Sequence, residues 1–339
     1  MRDEGGRNLA ALALALALTQ ASGWRLLESD TAEATSDLCA SVFDEAQTQV
    51  LRTVTLTGAG LSLAGSLFIV ISYLILVRIR TFPYKLVMFL SVANVGSSLA
   101  YFVGLASINE GNVHECTSSV GCILAAAMTQ FFDVASFFWI AIIAFNVHAV
   151  LVRNKGRAVE AYERWYHLVG WGISLIITII CGALGCFGDS GIWCWIKRDR
   201  QTARFFAYYL PLLIVFSFTA STYLIVSSAL QHQVQGRTVT RRLRLYLAVF
   251  VVFRVWGVVH RTHNYFHENQ MFWLALMHAI FSPLQGFANA LVYGCNAAVA
   301  REYRRYCSGL NTEDRIEDGD DDLDDDDVRE VRAQELTPI

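Results

Sequence analysis

The sequence predicts an all-α membrane protein: a seven-helix bundle with its N-terminus outside, a short amphipathic eighth helix and a disordered acidic tail. Three observations lead there. Hydrophobic residues make up 54% of the 339 residues, high for a soluble chain and ordinary for a multi-span one. The apolar residues gather into seven runs, each near the roughly 20 residues that a helix needs to cross a bilayer. Lysine and arginine gather in alternate connections between those runs.

The N-terminus, "MRDEGGRNLAALALALALTQASGW", carries Arg2 and Arg7 ahead of an apolar stretch from Leu9 to Leu18, then the small residues Ala21, Ser22 and Gly23. That order reads as a cleaved signal peptide over residues 1–23, which places the mature N-terminus outside. Residues 24–52 are expected as a short extracellular segment, too small for a core of its own. Any small ligand must then enter among the helices.

The bundle is expected over residues 53–296, with spans at 53–77, 84–107, 122–151, 166–187, 204–230, 243–263 and 271–294. With the N-terminus outside, the inner connections hold Arg78, Arg80 and Lys85, then Arg153, Lys155, Arg157 and Arg164, then Arg237, Arg241, Arg242 and Arg244. Arg301, Arg304 and Arg305 follow the seventh span, so the bias is positive inside. Residues 297–310 read as an amphipathic helix on the inner leaflet in contact with membrane lipids, with Cys307 a lipidation candidate. Beyond it, the run "EDRIEDGDDDLDDDD" (Glu313 to Asp327) makes 311–339 a disordered acidic cytoplasmic tail. That tail also explains a net charge of only −3 on an otherwise basic chain.

One connection breaks the charge rule. The second outer loop, "WIKRDRQTARFF", puts Lys197, Arg198, Arg200 and Arg204 outside, where they read either as a solvated loop or as a funnel for an anionic ligand. Of the eight cysteines, Cys39, Cys116, Cys122, Cys186 and Cys194 fall at or near the outer face, where disulfides persist. The topology co-locates Cys122 and Cys194, and a bond between them would tie the loop across the bundle mouth; the pairing of Cys39, Cys116 and Cys186 stays open.

Ionisable groups inside a membrane default to functional hypotheses. Asp133 lies in the third span and Arg254 near the middle of the sixth, at depths where they can neutralise one another. In the seventh, His278, Ser282, Gln285, Asn289 and Tyr293 share one face at 100° per residue, while Pro283 removes a backbone bond and Gly286 admits a close neighbour. That combination suits a switch helix that exchanges hydrogen bonds, against the alternative of polar glue in a static bundle. Gln130, Asp133, Arg254, Arg261, Lys197, Arg198 and His278 are the candidate ligand-binding residues. His260, His263 and His267, beside Glu268, share a face, but with no fourth ligand in view no metal is expected. A retinal protein would need a lysine in the seventh span for its Schiff base, and residues 271–294 have none. Phosphate-binding glycine loops and nucleophile elbows are missing as well, so neither an enzyme, a cofactor nor a nucleic-acid partner is expected.

Several stretches together resemble the cyclic-AMP-receptor-like family of seven-helix G-protein-coupled receptors, distant kin of the secretin and adhesion classes. They are "CILAAAMTQFFDVASFFWIAIIAFNVH", "YHLVGWG", "GIWCWI", "RRLRLYLAVFVVFRVWGVVHRTHNYF" and "FSPLQGFANALVYGCN". The resemblance implies a Cys122–Cys194 disulfide and coupling to a heterotrimeric G protein through the inner loops, where Arg241, Arg242 and Arg244 would rim the cleft. Ser174 stands where such receptors often carry proline, and Arg254 is an unusual charge for the sixth helix. The expected function is therefore a plasma-membrane receptor for an extracellular, anionic small ligand. The alternative is a seven-span channel or transporter that uses Asp133 and Arg254.

Overall fold

The computed structural model describes residues 43–110, 119–151, 160–190, 193–231, 237–266 and 271–307. The signal-peptide segment, Cys39, Cys116, His267, Glu268 and the acidic tail lie outside the described residues, as do the side chains of Arg241, Arg242, Arg244 and Cys307. Seven helices are long and apolar enough to cross a membrane, and the protein is a multi-pass membrane protein. They are α1 (Glu45–Ile75), α2 (Phe82–Glu110), α3 (Val120–Leu151), α4 (Glu160–Ala183), α5 (Gln201–Gln231), α6 (Arg237–Phe266) and α7 (Phe272–Gly294). A short helix α8 (Ala297–Cys307) follows.

α1 starts eight residues before the expected boundary. Asp44 explains why: its Oδ1 accepts from the Gln47 backbone N–H at 2.6 Å, which caps the helix and adds two polar turns to the apolar run. α4 stops four residues short of expectation, at Ala183. From there the chain turns through Gly185, at φ 62°, into a hairpin that hydropathy does not reveal. Its strands, β1 (Phe187–Asp189) and β2 (Cys194–Ile196), pair antiparallel with Asp189 opposite Cys194 and Phe187 opposite Ile196.

α3 is the central post. It packs against α2, α4, α5, α6 and both strands, while α7 closes the ring against α1, α2 and α6. The α1–α7 seam is built from small residues, as close helix approach in a membrane requires. A Cβ on Gly65 would lie 2.9 Å from Ala290 Cβ, and one on Gly58 3.2 Å from Pro283 Cβ. Pro283 sits within α7 without ending it. Large apolar side chains on α4 and α5 point outward; Trp165, Ile176, Ile179, Ile214 and Leu224 are all exposed, toward where lipid tails lie.

The two ends of the bundle differ. At one, Cys122 at the head of α3 is bonded to Cys194 of β2, with Cα atoms 5.2 Å apart. This is the pairing expected from the sequence; Cys181 and Cys186 are free buried thiols. At the other end α8 folds back on α1: Tyr303 stacks on Phe68 (5.7 Å) and its hydroxyl meets Ser72 Oγ at 2.5 Å. Asn296 hydrogen-bonds to the Tyr84 hydroxyl.

Candidate functional site

The polar residues of the bundle form two connected layers below the hairpin. The deeper one centres on Asp133 and Arg254, both 4% exposed. Ser97 Oγ donates to Asp133 Oδ1 at 2.6 Å, and the Tyr208 hydroxyl donates to Oδ2 at 3.3 Å. Arg254 donates through Nε to Gln285 Oε1 (2.6 Å) and through Nη1 to Ser282 Oγ (3.0 Å) and the Tyr208 oxygen (3.4 Å). Its Nη2 reaches Ser136 Oγ at 3.5 Å and stands 3.9 Å from Asp133 Oδ1. The guanidinium also lies over the Phe137 ring, 4.8 Å from its centroid. Two opposite charges taken out of water are tolerable only when each keeps such partners. The result is a junction of α2, α3, α5, α6 and α7.

The shallower layer hangs from the hairpin. Gln130 on α3 donates to the Ala207 carbonyl at 2.8 Å and accepts from the Trp195 indole N–H at 3.0 Å. A π-helical stretch at the start of α5, Phe205–Tyr209, brings Ala207 and Tyr208 inward to meet α3. Arg261 lies over the Trp195 and Trp193 rings, 5.3 and 6.0 Å from their centroids. Its Nε is buried and has no hydrogen-bond partner among the described residues. Arg198 stands nearby; burial lowers its pKa, Asp189 opposes that shift, and Arg261 adds to it. Arg204 is turned into the bundle, where Nε and Nη2 both donate to the Ile196 carbonyl (3.0 and 2.5 Å).

His278 faces the underside of the hairpin, 5.9 Å from the Trp193 ring. Its Nδ1 meets His260 Nδ1 at 3.1 Å, and His260 Nε2 meets Asn264 at 3.0 Å. The sequence groups His260 with His263 and His267 on one face; the structure buries it and pairs it across the α6–α7 interface. No group of three metal-ligating side chains forms among the described residues.

Of the predicted ligand-binding residues, Asp133 and Arg254 thus share the deep layer. Gln130, Arg261, Arg198 and His278 gather in the shallow one, and Lys197 sits beside them on the loop. Ser282, Gln285, Asn289 and Tyr293 are buried on α7, as are Pro283 and Gly286. Ser282 Oγ and Gln285 Oε1 accept from Arg254, while Gln285 Nε2 has no partner among the described residues. Lower down, both polar atoms of Asn289 have no hydrogen-bond partner among the described residues.

Sequence reasoning missed Ser97, Ser136, Tyr208 and the two tryptophans. Ser97 and Ser136 look like any small helix-packing residue. Trp193 and Trp195 belong to the quoted loop motif, but nothing in their spacing says that they point inward.

Residues 43–309 match the model of the slime mold cyclic AMP receptor family. The chain belongs to that family. This receptor is 28% identical over 271 residues to G-protein coupled receptor 1 of Arabidopsis thaliana, covering 74% of this chain and 80% of the relative. It is also 28% identical over 252 residues to latrophilin receptor-like protein A of Dictyostelium discoideum, covering 72% and 78%. G-protein coupled receptor 157 of Mus musculus is 27% identical over 287 residues, covering 76% and 85%. The receptor thus brings to its family's seven-helix fold a buried Asp133–Arg254 junction capped by an arginine- and tryptophan-lined hairpin.

Proposed function

We propose that this receptor lies in the plasma membrane with its disulfide end outside, binds an anionic small molecule there, and activates a heterotrimeric G protein at its α8 end. The observation that carries the ligand class is Arg261 seated against the hairpin tryptophans with its buried Nε still free to donate, and Arg198 near enough for the two charges to sense one another. An anion there would gain charge-assisted hydrogen bonds in a partly dehydrated site, where they are strongest. Lys197 on the exposed loop would add to the attraction at longer range.

The Asp133–Arg254 junction supplies the means of transmission. It joins α3, α5, α6 and α7, so movement of α6 must exchange partners at Arg254. Ser282, Gln285 and the lower stripe of α7 are the acceptors and donors available for that exchange. On this reading the first turns of α6, with Arg241, Arg242 and Arg244, contact the G protein, and Cys307 carries a lipid that holds α8 to the inner leaflet. The signal peptide over residues 1–23 directs the N-terminus outward. The reaction is a shape change, not catalysis on a substrate.

The channel reading draws no support from the arrangement of the two charges. Asp133 and Arg254 are buried and engaged by neighbours from five helices rather than lining an open path.

The test is heterotrimer dissociation in living cells, followed by energy transfer between tagged subunits, with cyclic AMP and inorganic polyanions as probes. A basal or probe-evoked signal that disappears in an Arg242→Glu, Arg244→Glu double variant at matched surface expression supports coupling. A silent chain with every G-protein class, together with a probe-evoked current, would instead establish the transport reading.

A further inference from the structure

Trp195 is seated inside the helical bundle. It is 3% exposed and is surrounded by α3, α5 and α6. Its indole N–H is held by Gln130 on α3. The ring meets Tyr208 and Tyr209 on α5, at 4.9 and 6.0 Å between centroids. The Arg204 and Arg261 guanidinium groups lie over it, each 5.3 Å from the centroid. Tyr208, in contact with Trp195, is also the residue that reaches both Asp133 and Arg254. The backbone that carries Trp195 is anchored on both sides, by the Cys122–Cys194 bond before it and by the Arg204 clamp on Ile196 after it.

The receptor's own hairpin therefore contacts the deep junction through one shared tyrosine. On α6, Arg254 and Arg261 are seven residues apart, two turns along one face. The lower arginine is tied to α3, α5 and α7 side chains; the upper one is seated against Trp195 and Trp193. Loss of the indole would remove the nearer half of the upper seat and one of Gln130's two partners together, while leaving the lower hydrogen bonds in place.

We infer that Trp195 is a built-in occupant of the bundle that holds α6 in its closed position. The inference rests on the receptor reading above insofar as release of α6 is read as coupling. It also deepens that reading. An anion at Arg261 competes with the aromatic faces for the guanidinium, and a charge-assisted hydrogen bond outweighs a cation–π contact. The ligand then works at the hairpin's tryptophans by unseating α6, without reaching Asp133 itself.

The experiment has two readouts on the full chain at the cell surface. In the first, Trp195→Ala is compared with the unaltered chain for basal G-protein dissociation at matched surface expression. Trp195→Leu is carried beside it, because it keeps apolar bulk in the core while losing the ring faces and the N–H. Basal coupling should rise roughly three- to tenfold in either variant, the range expected from losing one or two cation–π contacts. In the second, Gln130→Cys, at the buried position that holds the Trp195 indole, is treated with a charged, membrane-impermeant methanethiosulfonate, with the parent cysteines as blank. The Gln130→Cys thiol should stay protected while Trp195 is present and react when Trp195 is replaced. Equal reaction in both backgrounds would show that Trp195 fills nothing and would overturn the inference. Protection by Trp195 with unchanged basal coupling in a chain that does couple would overturn its holding role. If neither the parent nor any variant couples, the G-protein reading fails, and the labelling result decides the occupancy on its own.

Discussion

Asp133 and Arg254 stand 3.9 Å apart, at the edge of ion-pair range, and each takes its short hydrogen bonds from other residues. Ser97 holds the carboxylate at 2.6 Å and Gln285 holds the guanidinium at 2.6 Å. The pair is thus the centre of a network rather than a closed bridge. Loss of either charge leaves the other buried and uncompensated, which costs about 3–5 kcal/mol. Arg254→Gln and Asp133→Asn should each lower the thermal midpoint of the detergent-solubilised receptor strongly. The double variant should lose less than the sum, by about 1–3 kcal/mol of coupling. Additive losses would show that the two charges do not sense one another.

The α1–α7 seam gives a second prediction. A Cβ on Gly286 would run into the Ser62 and Ser66 hydroxyls and would lie 3.2 Å from Asn94 Cβ. Gly286→Ala should therefore destabilise by about 1–3 kcal/mol, as overpacking of a close interface does. Adding Ser62→Ala and Ser66→Ala should recover part of that loss. Gly60 is the control, because its Cβ would meet only Phe102 at an ordinary 3.7 Å. Gly60→Ala should be neutral or stabilising by up to ~1 kcal/mol from helix propensity. Thermal unfolding in detergent, read for all variants together, checks the contrast.

The disulfide closes a separation of 72 residues, for which a freely unfolding chain would lose about 4 kcal/mol on reduction. Both cysteines sit at the bundle's end on elements fixed by transmembrane helices, so the unfolded chain is already constrained and the loss should be smaller. The more specific effect is on the hairpin, because Cys194 is the residue before Trp195. Cys122→Ser and Cys194→Ser should give matching phenotypes, each with reduced surface expression and a lowered thermal midpoint. A wild-type thermal midpoint that does not move on reduction would show that the hairpin is held by its side chains alone.

Much of this architecture is written in local pattern. Span number follows from run length and hydropathy, and the buried stripe of α7 follows from a 100° step. Asp133 and Arg254 announce themselves because charge inside a membrane is rare. What local pattern does not carry is which of several like residues meets a given partner. α2 has four serines, Ser91, Ser97, Ser98 and Ser107, and only the packed bundle shows that Ser97 faces Asp133. The first two turns of α1 are polar enough to read as a loop until Asp44 is seen capping them. The hairpin strands are three residues each, too short for period-two alternation to register, and their inward face depends on the Cys122 tether.

The same loop yields a last prediction, because its basic residues do not act alike. The sequence presents Lys197, Arg198, Arg200 and Arg204 as one exposed group. In the folded chain Arg204 is 4% exposed and clamps the Ile196 carbonyl through two nitrogens, with its guanidinium carbon over the Trp195 ring. Arg200 pairs with Asp199 at 3.4 Å, and both side chains are more than two-fifths exposed. An exposed pair of this kind contributes about 0–1 kcal/mol. Arg200→Gln should therefore leave the thermal midpoint nearly unchanged. Arg204→Gln should lower it clearly, since a buried carbonyl loses a charged donor worth about 1.5–3 kcal/mol. Arg204→Lys should fall between them, restoring charge but neither the fork nor the flat face that lies on the indole. If Arg200→Gln proves as damaging as Arg204→Gln, the four residues do function as one charged rim, and the clamp on Ile196 is incidental.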